Sequence, residues 1–474
     1  MRIPECGRRR FRGRGCIERA GVRKQTATIW TIFMVVLLAV GACTSYVYQA
    51  TQTKTHLARQ EYQQALETVE KSNNGSSRLL YLYEKGLILH YANRFEESNE
   101  VFEEAERILD ELYTRSLSRE IGALFTSDTM VEYRGERYEA AFVHYYQILN
   151  YLYLNRLDDA VIECRQLNHK LQLFEDLGDS PFRNDPFLQH LTGMVYLEAG
   201  DRVDADVSLR IAELIYERNG RQMPAYLCQD LLAVARSYGD REAVERYSEC
   251  VPPDYTAGAD SGILNLFLEC GYVPGKVEES VSLPIFKEDL DHDYNNDQFA
   301  EVLAKRYHSV HRSNVKVDYW LKVSLPSMLP DPSGIARARI IAETDVKSVH
   351  TATVEVDFGS LAMQSFEQRQ GTILLKTVAR ALTKYLAKKK TEEKSGEVAG
   401  WVVNIFNAAT ETADTRSWST LPEKILATRL VLPAGTHTLT INLLDDAGRR
   451  IDSVTLNNIN IYANKQHFMN YRIF

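Results

Sequence analysis

The chain has 474 residues, of which 45% are hydrophobic and 25% charged, a composition typical of a folded protein with two or three domains. The net charge of −8 is unevenly distributed, because the first 42 residues carry nine basic and two acidic side chains while the rest carries 47 basic and 62 acidic ones. The acidic body repels phosphate backbones, so we expect no nucleic-acid partner, and the composition excludes a disordered or fibrous protein.

The N-terminal segment has the layout of a secretory signal. Basic residues end at Lys24, and eighteen uncharged residues follow from Gln25 to Ala42. The run closes on Val40-Gly41-Ala42-Cys43, which resembles a bacterial lipobox, where a branched apolar residue and two small residues precede a cysteine that is lipidated before cleavage. We therefore predict a signal peptide over 1–42, a lipid anchor on Cys43 and a short tether over 43–54. An uncleaved signal anchor in the inner membrane is the alternative, because the apolar run approaches the roughly 20 residues that span a bilayer.

Both interpretations place the chain after Cys43 outside the cytoplasm. Thr44 would be the second residue of the mature chain, and it differs from the aspartate that retains enterobacterial lipoproteins in the inner membrane. The expected location in a Gram-negative source is therefore the outer membrane, with the body facing the periplasm.

Residues 55–250 are predicted to form an irregular α-solenoid of tetratricopeptide-like repeats. The best match runs from Leu82 to Leu109 and fills seven packing positions with the expected residue types, namely Gly86, Leu89, Asn93, Phe95, Ser98, Phe102 and Ala105. Small residues let paired helices cross closely, and large apolar ones fill the groove between hairpins. A second match contains Gly193, and a weaker one contains Ile148. Their spacing is not one period, so we expect extra helices between repeats, such as one over 135–148.

Four cysteines follow Cys43 in the chain, at Cys164, Cys228, Cys250 and Cys270. An oxidising compartment would permit disulfides between them. Cys228 with Cys250 is the first pairing to expect, because these residues flank one predicted helical hairpin. The alternative is that all four are small buried apolar residues.

From Val251 the sequence pattern changes. Two prolines and the polar run "DYTAGADSG" predict a linker over 251–282, and runs of alternating apolar and polar residues follow. We predict a β-rich, sandwich-like domain over 283–474, interrupted by a long helix at about 360–390. The fold class is therefore α+β in two parts.

The sequence contains no recognisable catalytic motif. It has no His-Glu-x-x-His, no Gly-x-Ser-x-Gly and no phosphate-binding glycine loop. Asp291, Asp293 and Asn295 have the spacing of a calcium loop, but the required glycine and the final acidic ligand are missing. We therefore predict a protein that is not an enzyme and that has no cofactor or metal.

The first functional hypothesis is a membrane-tethered scaffold or adaptor whose concave groove binds another envelope protein or a peptide. The residues expected to line this groove are Tyr83, Leu87, His90, Tyr153 and Leu154. The alternative for each of them is packing against the next hairpin.

The second hypothesis is an envelope enzyme or a saccharide- or peptide-binding module with its site in the C-terminal half. The candidate pocket consists of Glu411, Asp414, Arg416 and Trp418, with Arg416 binding an anion and Trp418 stacking on a sugar or peptide ring. The alternative is a structural corner, in which Asp414 caps a turn, Arg416 neutralises it and Trp418 plugs the sheet. We favour that alternative, because one tryptophan and one ion pair more often fix a loop than build a site.

Several stretches resemble a family of uncharacterised bacterial envelope lipoproteins. They are "YRGERYEAAFVHYYQILNYLYLNRLDDAVIECRQLN", the repeat around Gly193, "GYVPGKVEESVSLPI" and "ADTRSWSTLP". The resemblance extends from about residue 54 to the end, and the long basic leader and the acidic run "DLDHDYNND" depart from it. It implies a helical-repeat half and a β half, with a general role in envelope or cell-wall assembly.

Overall fold

The computed structural model describes residues 46–73, 77–115, 132–177, 185–252, 258, 260–286, 296–307, 317–343, 348–395 and 412–474. Cys43, Glu411 and the calcium-loop candidates Asp291, Asp293 and Asn295 lie outside these ranges, as does the predicted signal peptide. Among the described residues, no helix combines the length and the apolar character that crossing a membrane requires.

The described residues of the N-terminal half form ten helices. They are α1 (Tyr46–Ala58), α2 (Tyr62–Glu70), α3 (Arg78–Tyr91), α4 (Phe95–Arg115), α5 (Arg137–Tyr153), α6 (Leu157–Leu177), α7 (Pro186–Glu198), α8 (Arg202–Arg218), α9 (Ala225–Tyr238) and α10 (Arg241–Ser248). Successive helices pair as hairpins. Two expectations need correction: α1 occupies most of the predicted tether, and the extra helix predicted over 135–148 is the first part of α5, which pairs with α6 as an ordinary hairpin.

The hairpins cross closely where the sequence places small residues. A Cβ atom on Gly86 of α3 would lie 2.5 Å from the ring of Phe102 on α4, and one on Gly193 of α7 would lie 2.6 Å from Leu209 on α8. The Ser98 hydroxyl donates to the Gly86 carbonyl at 2.7 Å, which ties the two helices together. These contacts are the tetratricopeptide packing that the residue pattern predicts.

The C-terminal half contains nine strands and two helices among the described residues. They are β1 (Ser261–Cys270), β2 (Gly275–Phe286), α11 (Asn296–Tyr307), β3 (Val317–Leu329), β4 (Arg337–Glu343), β5 (Ser348–Asp357), α12 (Phe358–Ser395), β6 (Lys424–Pro433), β7 (Gly435–Leu444), β8 (Arg450–Ile461) and β9 (Gln466–Ile473). Seven strands form one sheet in the order β8-β7-β4-β5-β6-β1-β9, and β2 pairs with β3 alone. The predicted linker over 251–282 therefore contains a complete strand, β1, and the start of β2. The long helix expected at about 360–390 corresponds to α12.

The seven-stranded sheet is curled, and the predicted sandwich is wrong. β8 and β9 lie at opposite edges of the strand order, yet only residues 462–465 connect them. A flat sheet would place these edges about 29 Å apart, whereas the five peptide links reach about 18 Å at most, so the sheet must bend round. The core enclosed on its inner side comes from this one sheet, and it includes Leu266, Ile340 and Ile441. The β2–β3 ribbon instead forms a separate core with α11 and α12.

The other side of the sheet packs against the helices. One cluster of buried apolar residues extends from α3, α5 and α7 to Phe267 on β1, Ile425 on β6 and Phe468 on β9. The two halves of the chain therefore share a hydrophobic core.

A disulfide joins Cys228 on α9 to Cys250, just after α10, in agreement with the first pairing expected from the sequence. Cys164 and Cys270 are buried free thiols. The alternative that all four cysteines are unpaired and buried is therefore wrong for Cys228 and Cys250 and correct for Cys164 and Cys270.

The close crossing at Gly86 gives a stability prediction. Replacing Gly86 with Ala forces the Phe102 ring out of a filled core, and we expect the free energy of unfolding to fall by about 1–3 kcal/mol. Gly371 is a matched control in α12, because its Cβ position is open, and Gly371→Ala should raise stability by about 0.5–1 kcal/mol. Denaturant titration followed by circular dichroism measures both changes. Equal effects of the two substitutions would contradict this account of the repeat packing.

Candidate functional site: the inner surface of the helical repeats

The segment that leads into β6, residues 412–423, crosses the inner surface of the helical half. Trp418 is 0% exposed and stacks on Tyr83 of α3, with ring centroids 4.7 Å apart and planes 25° from parallel. The rings of Phe102 and Tyr146 surround it at 6.1 and 6.2 Å. The chain thus places its own aromatic anchor in the predicted partner groove.

Two glutamates from the helices bind this segment. Glu84 of α3 accepts hydrogen bonds from the backbone N–H of Ser419 at 3.0 Å and from the hydroxyls of Ser419 and Thr420. Glu139 of α5 accepts from the backbone N–H of Trp418 at 2.8 Å. Burial raises the pKa of both carboxyl groups, and it raises that of Glu139 to about 7. Glu84 therefore exchanges water for donors from the opposite half, whereas Glu139 binds one donor from that half and two from its own, the Tyr133 hydroxyl and the Glu136 N–H.

A third buried glutamate points the other way, from the sheet to the helices. Glu269 of β1 accepts hydrogen bonds from Tyr91 at 2.6 Å, from Tyr145 at 2.9 Å and from the Asn470 amide at 2.9 Å. Tyr91 lies on α3, Tyr145 on α5 and Asn470 on β9, so this one carboxylate joins four elements. These hydrogen bonds fix the position of the sheet relative to the helices.

His90 extends this network. Its Nδ1 lies 2.6 Å from the side-chain oxygen of Asn150, and its Nε2 lies 2.9 Å from the side-chain nitrogen of Asn470. Burial lowers the pKa of His90 and so favours the neutral ring, in which Nδ1 donates to Asn150 and Nε2 accepts from Asn470. His90 is therefore an uncharged link between helix and strand.

A fourth contact joins α9 to β6. Arg429 is fully buried and donates two hydrogen bonds to Asp230, at 2.6 and 2.8 Å. His190 of α7 lies 2.7 Å from the same carboxylate, and Arg429 also donates to Asn265 of β1 at 2.8 Å. Burial acts to raise the pKa of Asp230, but Arg429 and His190 outweigh it and hold that pKa below its usual value. The carboxylate therefore stays ionised between its partners.

The predicted partner-binding residues consequently do not line an open groove. Tyr83, Leu87 and His90 are buried, and Tyr153 and Leu154 are half-buried. The Tyr153 hydroxyl donates to the side-chain oxygen of Asn470 at 2.6 Å. The β half of the same chain contacts Tyr83, His90 and Tyr153, so the hypothesis that these three residues receive an external partner is wrong.

The predicted ligand pocket is also wrong in its described part, and the structural corner describes it better. Arg416 is 5% exposed and donates through Nε and Nη2 to the two carboxylate oxygens of Asp414, both at 2.8 Å. Trp418 differs from that prediction, because it packs against rings of the helical half and does not plug the sheet. A cavity of about 300 Å³ does open in the C-terminal half, but Asp414, Arg416 and Trp418 do not line it, and its lining includes Pro330, Asp357 and Met363.

One cluster that sequence reasoning missed combines metal-ligand residue types on α4, α5 and α6. A carboxylate oxygen of Glu106 lies 2.7 Å from Nε2 of His144, and one of Glu163 lies 2.9 Å from Nδ1 of the same ring. Burial acts to lower the pKa of His144, but the two carboxylates outweigh it and raise that pKa, while Lys170 lies 3.5 Å from Glu106. The carboxylates occupy opposite nitrogens of the ring, and we interpret the group as an imidazolium held between two anions, stabilising three helices.

Comparison with known proteins gives little beyond the repeat fold. No family model matches the chain, and a search of curated sequences finds no relative. Three solved structures of helical-repeat proteins are similar to part of it. A putative kinesin light chain repeat protein from Podosopora anserina has 16% identity and a TM-score of 0.30, and the match covers 43% of this chain and 90% of that one. MamA AMB-1 has 12% identity and a TM-score of 0.28, and the match covers 43% of this chain and 88% of that one. BtubC (BKLC) from P. vanneervenii has 18% identity and a TM-score of 0.30, and the match covers 51% of this chain and 97% of that one. These values support no argument about activity or partner.

The buried position of Trp418 leads to a prediction with a matched control. We expect Trp418→Ala to lower the free energy of unfolding by about 3–5 kcal/mol, because it leaves a cavity between the two halves. Trp320 on β3 is 55% exposed, and Trp320→Ala should change stability by about 0.5 kcal/mol or less. Thermal and denaturant unfolding measure both. Similar values for the two variants would mean that Trp418 does not join the halves.

The raised pKa of Glu139 predicts a pH dependence. The folded state holds this proton up to about pH 7, whereas the unfolded state loses it near 4.5, so the stabilising contribution is complete below pH 4.5 and is lost as the pH rises to 7. Over that interval we expect the free energy of unfolding to fall by up to about 3 kcal/mol from this group alone. The decline should be shallower in Glu139→Gln when denaturant midpoints are measured at several pH values. Parallel curves for the two proteins would contradict the assignment.

Proposed function

We propose that this chain is a membrane-anchored, non-enzymatic scaffold of the bacterial cell envelope that binds a protein partner through the outer surface of its helical repeats. The inner surface is filled by the chain's own β half, so an external partner needs a different face. One feature of the described outer surface supports the proposal.

That feature is an apolar strip on α8. Val203, Val207 and Leu214 are 67%, 54% and 60% exposed, and their spacing of four and seven residues places them on one face of the helix. The strip spans about 16 Å along the helix axis. Isolated exposed apolar side chains are ordinary, but an aligned row of three on one helix is the pattern that binds another helix.

Two ion pairs within the chain lie beside the strip. Arg210 contacts Asp206 at 2.8 Å, and Arg165 of α6 contacts Asp204 at 3.3 Å. An apolar centre with a neutralised polar rim matches the composition of protein interfaces. We therefore propose that the partner contributes an amphipathic helix with a complementary apolar face.

The membrane anchor is proposed from the sequence. Cys43 closes the basic and apolar leader with lipobox residues, and lipidation there would place the acidic body in the periplasm at the outer membrane. A signal anchor in the inner membrane gives the same orientation of the body.

The experiment first identifies the partner and then measures its affinity. A photo-cross-linking amino acid at position 207 in intact envelopes captures the partner, which is purified for direct binding. Val207→Glu places a charge in the apolar contact, and we expect it to weaken binding at least about tenfold. Ile451→Glu introduces the same charge at an exposed apolar residue of β8 and should leave the affinity unchanged. Equal binding of Val207→Glu and the wild type would contradict the proposed surface.

A further inference from the structure

The position of α1 bears on how an anchored chain meets its membrane. α1 begins at Tyr46, and only Thr44 and Ser45 separate that residue from Cys43. A chain of this length spans at most about 11 Å between the α carbons of Cys43 and Tyr46. The start of α1 therefore cannot be far from the point of anchoring.

α1 is fixed to the body along its length. The Tyr46 hydroxyl donates to the Ser417 carbonyl, and the Tyr272 hydroxyl donates to the Lys54 carbonyl at 2.9 Å. Thr53 and Leu57 are buried, and the Lys54 ammonium lies 4.9 Å from the centre of the Tyr272 ring. Because both ends of α1 are held, the helix does not act as a flexible extension of the anchor.

α1 lies near the C-terminal end of β1. Tyr272 and the segment that precedes β6 lie at the C-terminal end of β1, where the Glu423 N–H donates to the Cys270 carbonyl at 2.8 Å. Gly262, at the other end of β1, is packed against Tyr462, and the ten-residue strand separates the two ends by about 30 Å. A membrane attached through residue 43 thus lies closer to the C-terminal end of β1 than to Tyr462.

We propose that the surface around the N-terminus of α1, including Tyr48, rests on the phospholipid headgroups. This inference depends on the anchor of the proposed function, and it holds for either a lipid or a signal anchor at this point of the chain. The headgroup layer is about 5–8 Å thick on each side of the bilayer, so a span of about 11 Å leaves little space between body and lipid. Tyr48 is more than half exposed, and tyrosine is a residue that favours the headgroup region.

The test uses the full chain with its anchor, reconstituted into phosphatidylcholine and phosphatidylglycerol vesicles that carry a spin-labelled headgroup. A fluorescent amino acid replaces Tyr48 in one variant and Tyr462, also more than half exposed, in the other. We expect several-fold stronger quenching at position 48 than at position 462. Equal quenching at the two positions in vesicle-bound protein would overturn the proposal.

A linker variant tests the reach argument. Thirty Gly and Ser residues inserted between Ser45 and Tyr46 add a root-mean-square length of about 30 Å. We expect the quenching at position 48 to fall to the level at position 462 while the protein still sediments with the vesicles. Unchanged quenching at position 48 would mean that reach does not hold the surface on the lipid, and the proposal would be wrong.

Failure of the anchor is a separate outcome. Wild-type protein that does not sediment with vesicles contradicts the proposed membrane attachment itself, whereas protein that sediments without position-dependent quenching contradicts only the docked surface. Comparison with Cys43→Ala, by the mass of the N-terminal peptide, shows whether a lipid on Cys43 provides the attachment.

Discussion

The structure depends on carboxylates that are buried between the two halves and bound by donors from the opposite half. Glu84 and Glu139 of the helices bind the segment around Trp418, while Glu269 of the sheet binds tyrosines of two helices. Removing either side would leave a buried acid without its donors, which costs several kcal/mol in measured cases. Separation of the halves would expose their shared apolar core as well, so the two halves form one unit.

These polar contacts also set the register of the sheet on the helices. Along β1, Leu266 and Leu268 face the core inside the curled sheet, while Asn265, Phe267 and Glu269 face the helices. A slip by one residue would exchange these faces and bury unpaired polar groups in the enclosed core. Apolar contact alone has no such directionality, so the carboxylates and Arg429 give the interface its specificity.

The sequence was most informative where the relevant contacts are local. Gly86 against Phe102 and Cys228 with Cys250 are separated by 16 and 22 residues, and periodicity or hairpin spacing is enough to predict them. β1 was missed because both of its faces are buried, which removes the alternation of apolar and polar residues that identifies a strand.

Local sequence patterns could not predict that the groove is occupied, because Trp418 and Tyr83, which stack on each other, are 335 residues apart in the chain. No periodicity in one sequence specifies which distant segment fills a concave surface. One signal was present: Glu84 and Glu269 are the only acidic residues in two largely apolar runs, "LLYLYEKGLIL" and "ILNLFLEC". An acid in such a run needs a buried partner, but the sequence does not say where that partner lies.

The occupied groove changes what a repeat scaffold of this kind can do. An open solenoid flexes along its length, because each hairpin contacts only its neighbours. Here the sheet binds α3, α5, α7 and α9 together, through Glu84, Glu269 and Arg429 among others, so bending between hairpins would break buried contacts. In the proposed function, a partner on α8 would therefore be held at a nearly fixed height above the membrane. The chain then acts as a rigid spacer, and the length of the body sets the distance between anchor and partner.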